Sequence, residues 1–81
     1  MNDHKSMEEL SRGLNVANRS IPWSSTWRHK KTDGIYVVTS LAYIEATMEI
    51  GVMYNPSNSH GVHVRFIRPM SEFLLKFERV T

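Results

Sequence analysis

The segment from residue 34 to residue 54 contains two apolar runs that constrain the fold more than any other part of the chain. The first run reads Ile-Tyr-Val-Val-Thr-Ser-Leu-Ala-Tyr, and the second reads Met-Glu-Ile-Gly-Val-Met-Tyr. The first run is rich in β-branched and aromatic residues, which favour strands. Small and polar residues around Glu45 separate the two runs. The sequence therefore predicts two antiparallel strands joined near Glu45.

Further strands are predicted on both sides of this pair. Residues 26–31 predict a first strand, and the Asp33-Gly34 dipeptide that follows is a strong hairpin signal. Residues 62–67 alternate in the manner of a half-buried strand. We expect Arg68-Pro69 to end that strand, because proline cannot donate a hydrogen bond to a sheet.

Near the C-terminus, four apolar residues recur at the spacing of one helical face. They are Met70, Phe73, Leu74 and Phe77. Because the segment is so short, two interpretations remain open. One is a very short helix, and the other is a single helical turn that leads into a final strand over residues 76–80.

The N-terminal part carries a helix signal. Ser6 and Glu9 form the capping-box pattern, and apolar residues then follow at roughly helical spacing. The pattern predicts a short helix over about residues 7–17, weakened by one glycine and one asparagine. This arm docks if its apolar side chains reach the core, and otherwise it is free to meet a partner. The side chains in question are Met7, Leu10 and Leu14.

Two segments are predicted to be irregular. Residues 18–25 indicate a linker, because the residue before Pro22 is disfavoured in a helix. Within it, Trp23 is expected to plug one end of the core. Residues 55–61 have the composition of an exposed loop.

These elements predict a mainly β protein: a small, strongly bent antiparallel sheet or a partly open SH3-like barrel. A short N-terminal helix and one helical turn near the C-terminus accompany it. Residues 1–25 form the arm with its helix and linker, and residues 26–81 form the β domain. The expected core comprises one side of residues 35–38 together with Leu41, Val52, Val62, Val64, Phe66 and Phe73.

Composition narrows the class of protein. The 81 residues suffice for one domain, and 41% apolar with 22% charged residues is typical of a globular chain. The absence of cysteine excludes disulfides and thiolate metal sites. Small secreted domains usually carry disulfides, so an intracellular protein is the simpler expectation. No run is long enough for a membrane helix.

The chain resembles a family of short bacterial and bacteriophage proteins that is catalogued as a domain of unknown function. The resemblance covers about residues 27–79, without gaps from Gly34 to Tyr54, whereas residues 1–25 and the polar loop 55–61 depart from the pattern. It implies a compact β fold and a microbial or phage origin, but no activity and no catalytic residues. The matching positions are Trp27, His29, Lys30, Gly34, Tyr36, Val38, Ala42, Thr47, Glu49, Val52, Tyr54, Phe66, Ile67, Arg68, Pro69 and Phe73.

Motifs for chemistry are sparse. His60 and His63 are two potential metal ligands, but zinc needs three or four, so no metal or other cofactor is expected. There is no nucleophile elbow, no phosphate-binding glycine loop and no cysteine nucleophile. Glu45 and Glu49 are expected to be solvated rather than an acid–base pair. The sequence therefore predicts a protein that is not an enzyme.

A nucleic-acid interface is one alternative. The net charge of +2 arises mainly from Arg28, Lys30 and Lys31, a local basic patch that Arg65 and Arg68 could extend. Trp27, His29 and Tyr36 could supply stacking surfaces. Few cations mean few phosphate contacts, however, so this binding would fall steeply with salt.

The leading hypothesis is a small phage- or prophage-type accessory protein in the cytoplasm of a bacterial host. It would bind a host protein or complex, such as a host enzyme or a defence system, and inhibit it, without contacting a membrane. A small-molecule or nucleotide site is a second alternative. Arg68 by itself is expected to fix a carboxylate or a loop carbonyl. The candidate binding residues are Trp23, Trp27, Arg28, His29, Lys30, Lys31, Arg65 and Arg68.

Overall fold

The protein is mainly β, as the sequence predicts. A computed structural model describes residues 5–58 and 64–80. Its elements, in chain order, are α1 (Met7–Ser20), β1 (Thr26–His29), β2 (Ile35–Ile44), β3 (Glu49–Pro56), β4 (Phe66–Pro69), α2 (Met70–Lys76) and β5 (Phe77–Arg79).

The five strands form one antiparallel sheet in the order β4-β3-β2-β1-β5. The edge strands β4 and β5 are joined by α2, whose seven residues span about 10 Å. In a flat five-stranded sheet the two edges would be about 19 Å apart. The sheet must therefore curl strongly to bring its edges towards each other. Among the described residues β4 and β5 do not pair, so the sheet is strongly bent but open.

The central hairpin has the predicted form. β2 and β3 pair from Tyr36↔Pro56 to Ile44↔Glu49, with a bulge between Val38 and Ser40. The turn covers residues 45–48 and is closed by Met48, whose amide donates to the Ile44 carbonyl at 2.6 Å. Met48 has a φ of 60°, the left-handed conformation that a non-glycine residue adopts at a cost.

The hairpin between β1 and β2 is also present, but its loop is longer than two residues. β1 ends at His29 instead of Lys31, and the His29 amide donates to the Gly34 carbonyl at 2.8 Å. Asp33, with a φ of 65°, adopts the left-handed conformation in place of Gly34. Aspartate tolerates that conformation better than most side chains do.

The core lies on the concave face of the curled sheet. Val38 is buried and Tyr36 packs against the cluster, so this side of residues 35–38 faces inward while Ile35 is exposed. The predicted core residues Val52 and Phe73 are fully buried, and Leu41 packs against them. The buried cluster consists of Ile21, Trp27, Val38, Val52, Tyr54, Phe73 and Phe77.

The predicted burial of the segment before Pro69 is wrong. Val64 lies outside any strand, β4 begins only at Phe66, and Phe66 is 44% exposed. The reason is position, because β4 is an edge strand with a neighbour on one side only. Val62 lies outside the described residues.

Helix α1 is docked rather than free. The predicted capping box is present, with the Glu9 amide donating to Ser6 Oγ at 3.1 Å and the Ser6 amide to Glu9 Oε1 at 2.9 Å. The helix continues to Ser20, into the segment predicted as a linker. The Tyr43 hydroxyl donates to the Leu10 carbonyl at 2.9 Å and ties the helix to β2. Met7 remains exposed, so the second half of the helix carries the packing.

The C-terminal segment combines the two predicted alternatives. It forms the seven-residue helix α2 and then passes directly into the short final strand β5. Within the described part of the chain, neither helix has the length and hydropathy needed to cross a bilayer.

Candidate functional site

Trp27, a predicted binding residue, lies in the core. Its ring meets the Phe73 ring edge to face at a centroid distance of 5.1 Å, and its indole nitrogen donates to Ser25 Oγ at 2.8 Å. The side chain is buried, and its one polar group is already satisfied. In this structure Trp27 therefore stabilises the fold and offers no stacking surface.

Arg28 lies on the opposite, convex face of β1 and is held by two carboxylates. Its guanidinium donates to Asp33 in the hairpin loop and to Glu78 on β5. The hydrogen bond that Arg28 donates to Glu78 is the main cause that raises the pKa of Arg28. The two carboxylates therefore balance the charge of Arg28, so Arg28 adds no net positive charge to the predicted basic patch.

Trp23 does not plug the core as predicted, because 69% of its surface is exposed. Ile21 is the fully buried residue of this segment. Leu10, Leu14, Ala17 and Ile21 continue one stripe at helical spacing, a signal that could have identified Ile21. Trp23 instead borders a groove of about 220 Å³. The groove is completed by Ser11, Leu14, Asn15, Asn18 and Leu41.

The other predicted residues lead to a second cavity, here called the concave pocket, with a volume of about 170 Å³. Every strand of the sheet contributes to it. It brings together His29 of β1 and Arg68 of β4, two predicted binding residues that lie far apart in the sequence. The lining residues are His29, Thr32, Tyr36, Tyr54, Phe66, Arg68 and Phe77.

Aromatic rings at steep angles form the walls of the concave pocket. Tyr36 meets Tyr54 at 86° and Phe77 at 83°, with centroid distances of 5.4 and 5.6 Å. His29 meets Phe77 at 88° and 4.8 Å, and Phe66 is tilted by 40° against Tyr54. Such edge-to-face contacts are favourable and hold the rings in place. Strand register explains the grouping, since His29 lies opposite Phe77 and Tyr54 opposite Phe66.

Arg68 is fixed within the wall of the pocket. Its Nε donates to the Tyr54 hydroxyl at 2.8 Å, its guanidinium pairs with Glu72 of α2, and its terminal carbon lies 5.8 Å from the Phe77 ring centre. The hydrogen bond to Tyr54 is the main cause that raises the pKa of Arg68, so the side chain stays charged at physiological pH. The prediction that Arg68 fixes a carboxylate is confirmed, and the same side chain also lines the pocket.

The remaining cations lie next to the pocket in sequence. Lys30 follows His29 directly, Lys31 is next, and Arg65 precedes Phe66 directly. All three are exposed, and none pairs with a carboxylate among the described residues. These three exposed cations, which flank the lining residues in sequence, are here called the rim.

A second surface, here called the β4 edge, consists of Val64, Phe66 and Ile67. All three side chains are exposed, and Phe66 and Ile67 point to opposite faces of the sheet. Sequence reasoning placed Val64 and Phe66 in the core and so missed this segment as a surface.

The described residues hold little for catalysis. No three His, Asp or Glu side chains gather there in an arrangement that could hold a metal ion, and His60 and His63 lie outside the described residues. Glu45 lies in the hairpin turn and Glu49 starts β3, and both are exposed. Each therefore lies at a solvated position, as expected.

The chain matches no family model, and no curated protein or solved structure is significantly similar to it. The resemblance to the family of short bacterial and phage proteins stays a prediction.

Proposed function

We propose that this chain is a non-catalytic phage- or prophage-type accessory protein that binds a host protein in the bacterial cytoplasm. In this proposal, binding modulates or inhibits the partner, such as a host enzyme or a defence complex. The phage origin rests on the family resemblance, whereas the mode of binding rests on the β4 edge.

The observation that carries the mode of binding is the difference between the two edges of the sheet. Edge strands normally carry charges or prolines that prevent pairing with other chains. β5 follows that rule with Glu78 and Arg79, and β4 does so only in its second half, with Arg68 and Pro69. The first half of β4, Phe66 and Ile67, is apolar, and Val64 and Arg65 precede it.

An apolar strand edge suits one kind of partner, an extended polypeptide segment. Such a segment adds a strand through main-chain hydrogen bonds, and its side chains meet apolar side chains on the two faces. Phe66 on the concave face and Ile67 on the convex face supply both sets of contacts. The exposed Trp23 would provide a second anchor of the type that dominates interfaces.

The nucleic-acid alternative, in which one basic and aromatic strand forms the interface, has less support. Trp27 is buried, and Arg28 is neutralised by two carboxylates. The alternative of a small ligand or nucleotide has one favourable observation, the concave pocket.

A lysine on the β4 edge tests the main proposal, because an edge lysine opposes strand addition. Tagged Ile67→Lys is compared with Val16→Lys on α1, a matched control because the two side chains are 52% and 53% exposed. Both variants should melt like the wild type. In affinity purification from a bacterial lysate, the wild type and Val16→Lys should retain a stoichiometric protein that Ile67→Lys loses.

Two results would contradict the proposal. One is that the wild type retains no stoichiometric protein. The other is that Ile67→Lys retains it as well as Val16→Lys does, which would separate partner binding from the β4 edge.

A further inference from the structure

The concave pocket combines features that strand addition at the β4 edge does not use. We propose that it binds a nucleotide unit, a base together with its phosphate, either as a free nucleotide or within a single strand. The site shares Phe66 with the β4 edge, whereas His29, Thr32 and Tyr36 belong to the pocket alone.

The size and walls of the pocket suit one planar group. Its volume of about 170 Å³ is below the 300–1,000 Å³ typical of sites for drug-sized molecules. The Phe66 ring is 44% exposed and offers a stacking surface, while Tyr36 stands across the pocket. Stacking on aromatic side chains is the common way in which proteins hold single bases.

Two polar groups of the lining remain available to the edge of a base. The Nδ1 atom of His29 lies 3.3 Å from both the amide nitrogen and the hydroxyl of Thr32. The other ring nitrogen of His29 and the hydroxyl of Tyr36 have no hydrogen-bond partner within residues 5–58 and 64–80. A base presents both donors and acceptors, so it can satisfy both groups.

The charge of the rim decides between an anionic and a cationic ligand. Steeply angled aromatic walls can also hold a cation. Here, however, Arg68 forms part of the wall, and Lys30, Lys31 and Arg65 adjoin it in sequence. Arg28 and Arg68 have carboxylate partners, whereas Lys30, Lys31 and Arg65 have none among the described residues. The excess positive charge repels a cation and attracts a phosphate.

Fluorescence anisotropy with labelled single strands of about ten nucleotides, oligouridine and oligoadenosine, tests the proposal at about 50 mM salt, where phosphate contacts are strongest. Phe66→Ala should weaken binding at least about five-fold through the lost stacking. Ile67→Ala is the matched control, because it shortens the neighbouring side chain on the opposite face and should leave affinity unchanged.

A charge-matched pair of double variants tests the rim. Lys30→Gln with Lys31→Gln should weaken binding and flatten its salt dependence. Arg12→Gln with Arg19→Gln removes the same charge from α1 and should do neither. Competition by AMP or UMP would identify a free nucleotide as the ligand, and its absence would identify the single strand; either result supports the site.

Three results would overturn the proposal. The first is no binding of oligonucleotide or mononucleotide at low salt. The second is equal affinity for wild type and Phe66→Ala. The third is competition by polyglutamate as strong as that by oligonucleotide, which would show attraction of any polyanion rather than recognition of a base.

Discussion

Replacing Phe73 with alanine should remove the centre of the core. Phe73 is fully buried, stacks on Phe77 at 4.3 Å, and lies within 5.3 Å of the Trp27 and Tyr54 ring centres. A phenylalanine buries about 150–250 Å². At about 25 cal/mol per Å², the smaller area corresponds to about 4 kcal/mol, in line with the 3–5 kcal/mol found for buried Phe→Ala changes.

That loss is large for a chain of this size. A domain of 81 residues has a free energy of unfolding of about 4–12 kcal/mol. A loss of about 4 kcal/mol in Phe73→Ala would therefore remove a third or more of the stability. Because α2 carries Phe73 and joins the two edge strands, the curl of the sheet depends on this side chain.

Urea denaturation followed by tryptophan fluorescence measures the effect, since buried Trp27 touches the altered site. Leu74→Ala is the control: Leu74 follows in α2 and is exposed, so its truncation should cost less than about 1 kcal/mol. If Phe73→Ala loses less than about 1 kcal/mol, or no more than Leu74→Ala, the packing described for the core is refuted.

Two further predictions concern the ends of elements. Ser6→Ala should destabilise α1 by about 1 kcal/mol, because it removes the acceptor of the Glu9 amide. Hydrogen exchange should become faster in the first helical turn while β2 stays protected. Unchanged exchange would contradict the capping role. In thermal unfolding, Met48→Gly should be more stable than Met48→Ala by about 1 kcal/mol. Alanine keeps the Cβ atom that makes a φ of 60° unfavourable, whereas glycine has none. Equal melting temperatures would argue against that backbone conformation.

Local signals in the sequence predicted most of the elements. The capping box at Ser6 marked the start of α1, and the polar break near Glu45 marked the central turn. Alternation in β2 predicted that only one side of residues 35–38 faces inward, and the structure shows that this side carries Val38 whereas Ile35 is exposed. Each of these signals acts over a few residues, which is why a single sequence contains them.

The candidate sites were predicted less well. Trp27 and His29 lie two positions apart in β1 and therefore share one face of the sheet. The sequence could not show that Phe73 of α2 covers Trp27 while His29 remains at the open end of the curl. It also could not show that Arg28 meets Glu78, a residue 50 positions away.

What the sequence by itself determined is the set of elements and, for the start of β2, that only one side faces inward, because periodicity and turn residues act locally. What only the tertiary structure decided is the order of the strands. That order places β4 at an edge, so Phe66 and Ile67 are exposed although their alternation is typical of a half-buried strand. It also brings Tyr54, Phe66 and Phe77 together with His29 and Arg68. Pairing between distant segments creates both surfaces, and no local pattern encodes which strand remains without a second neighbour.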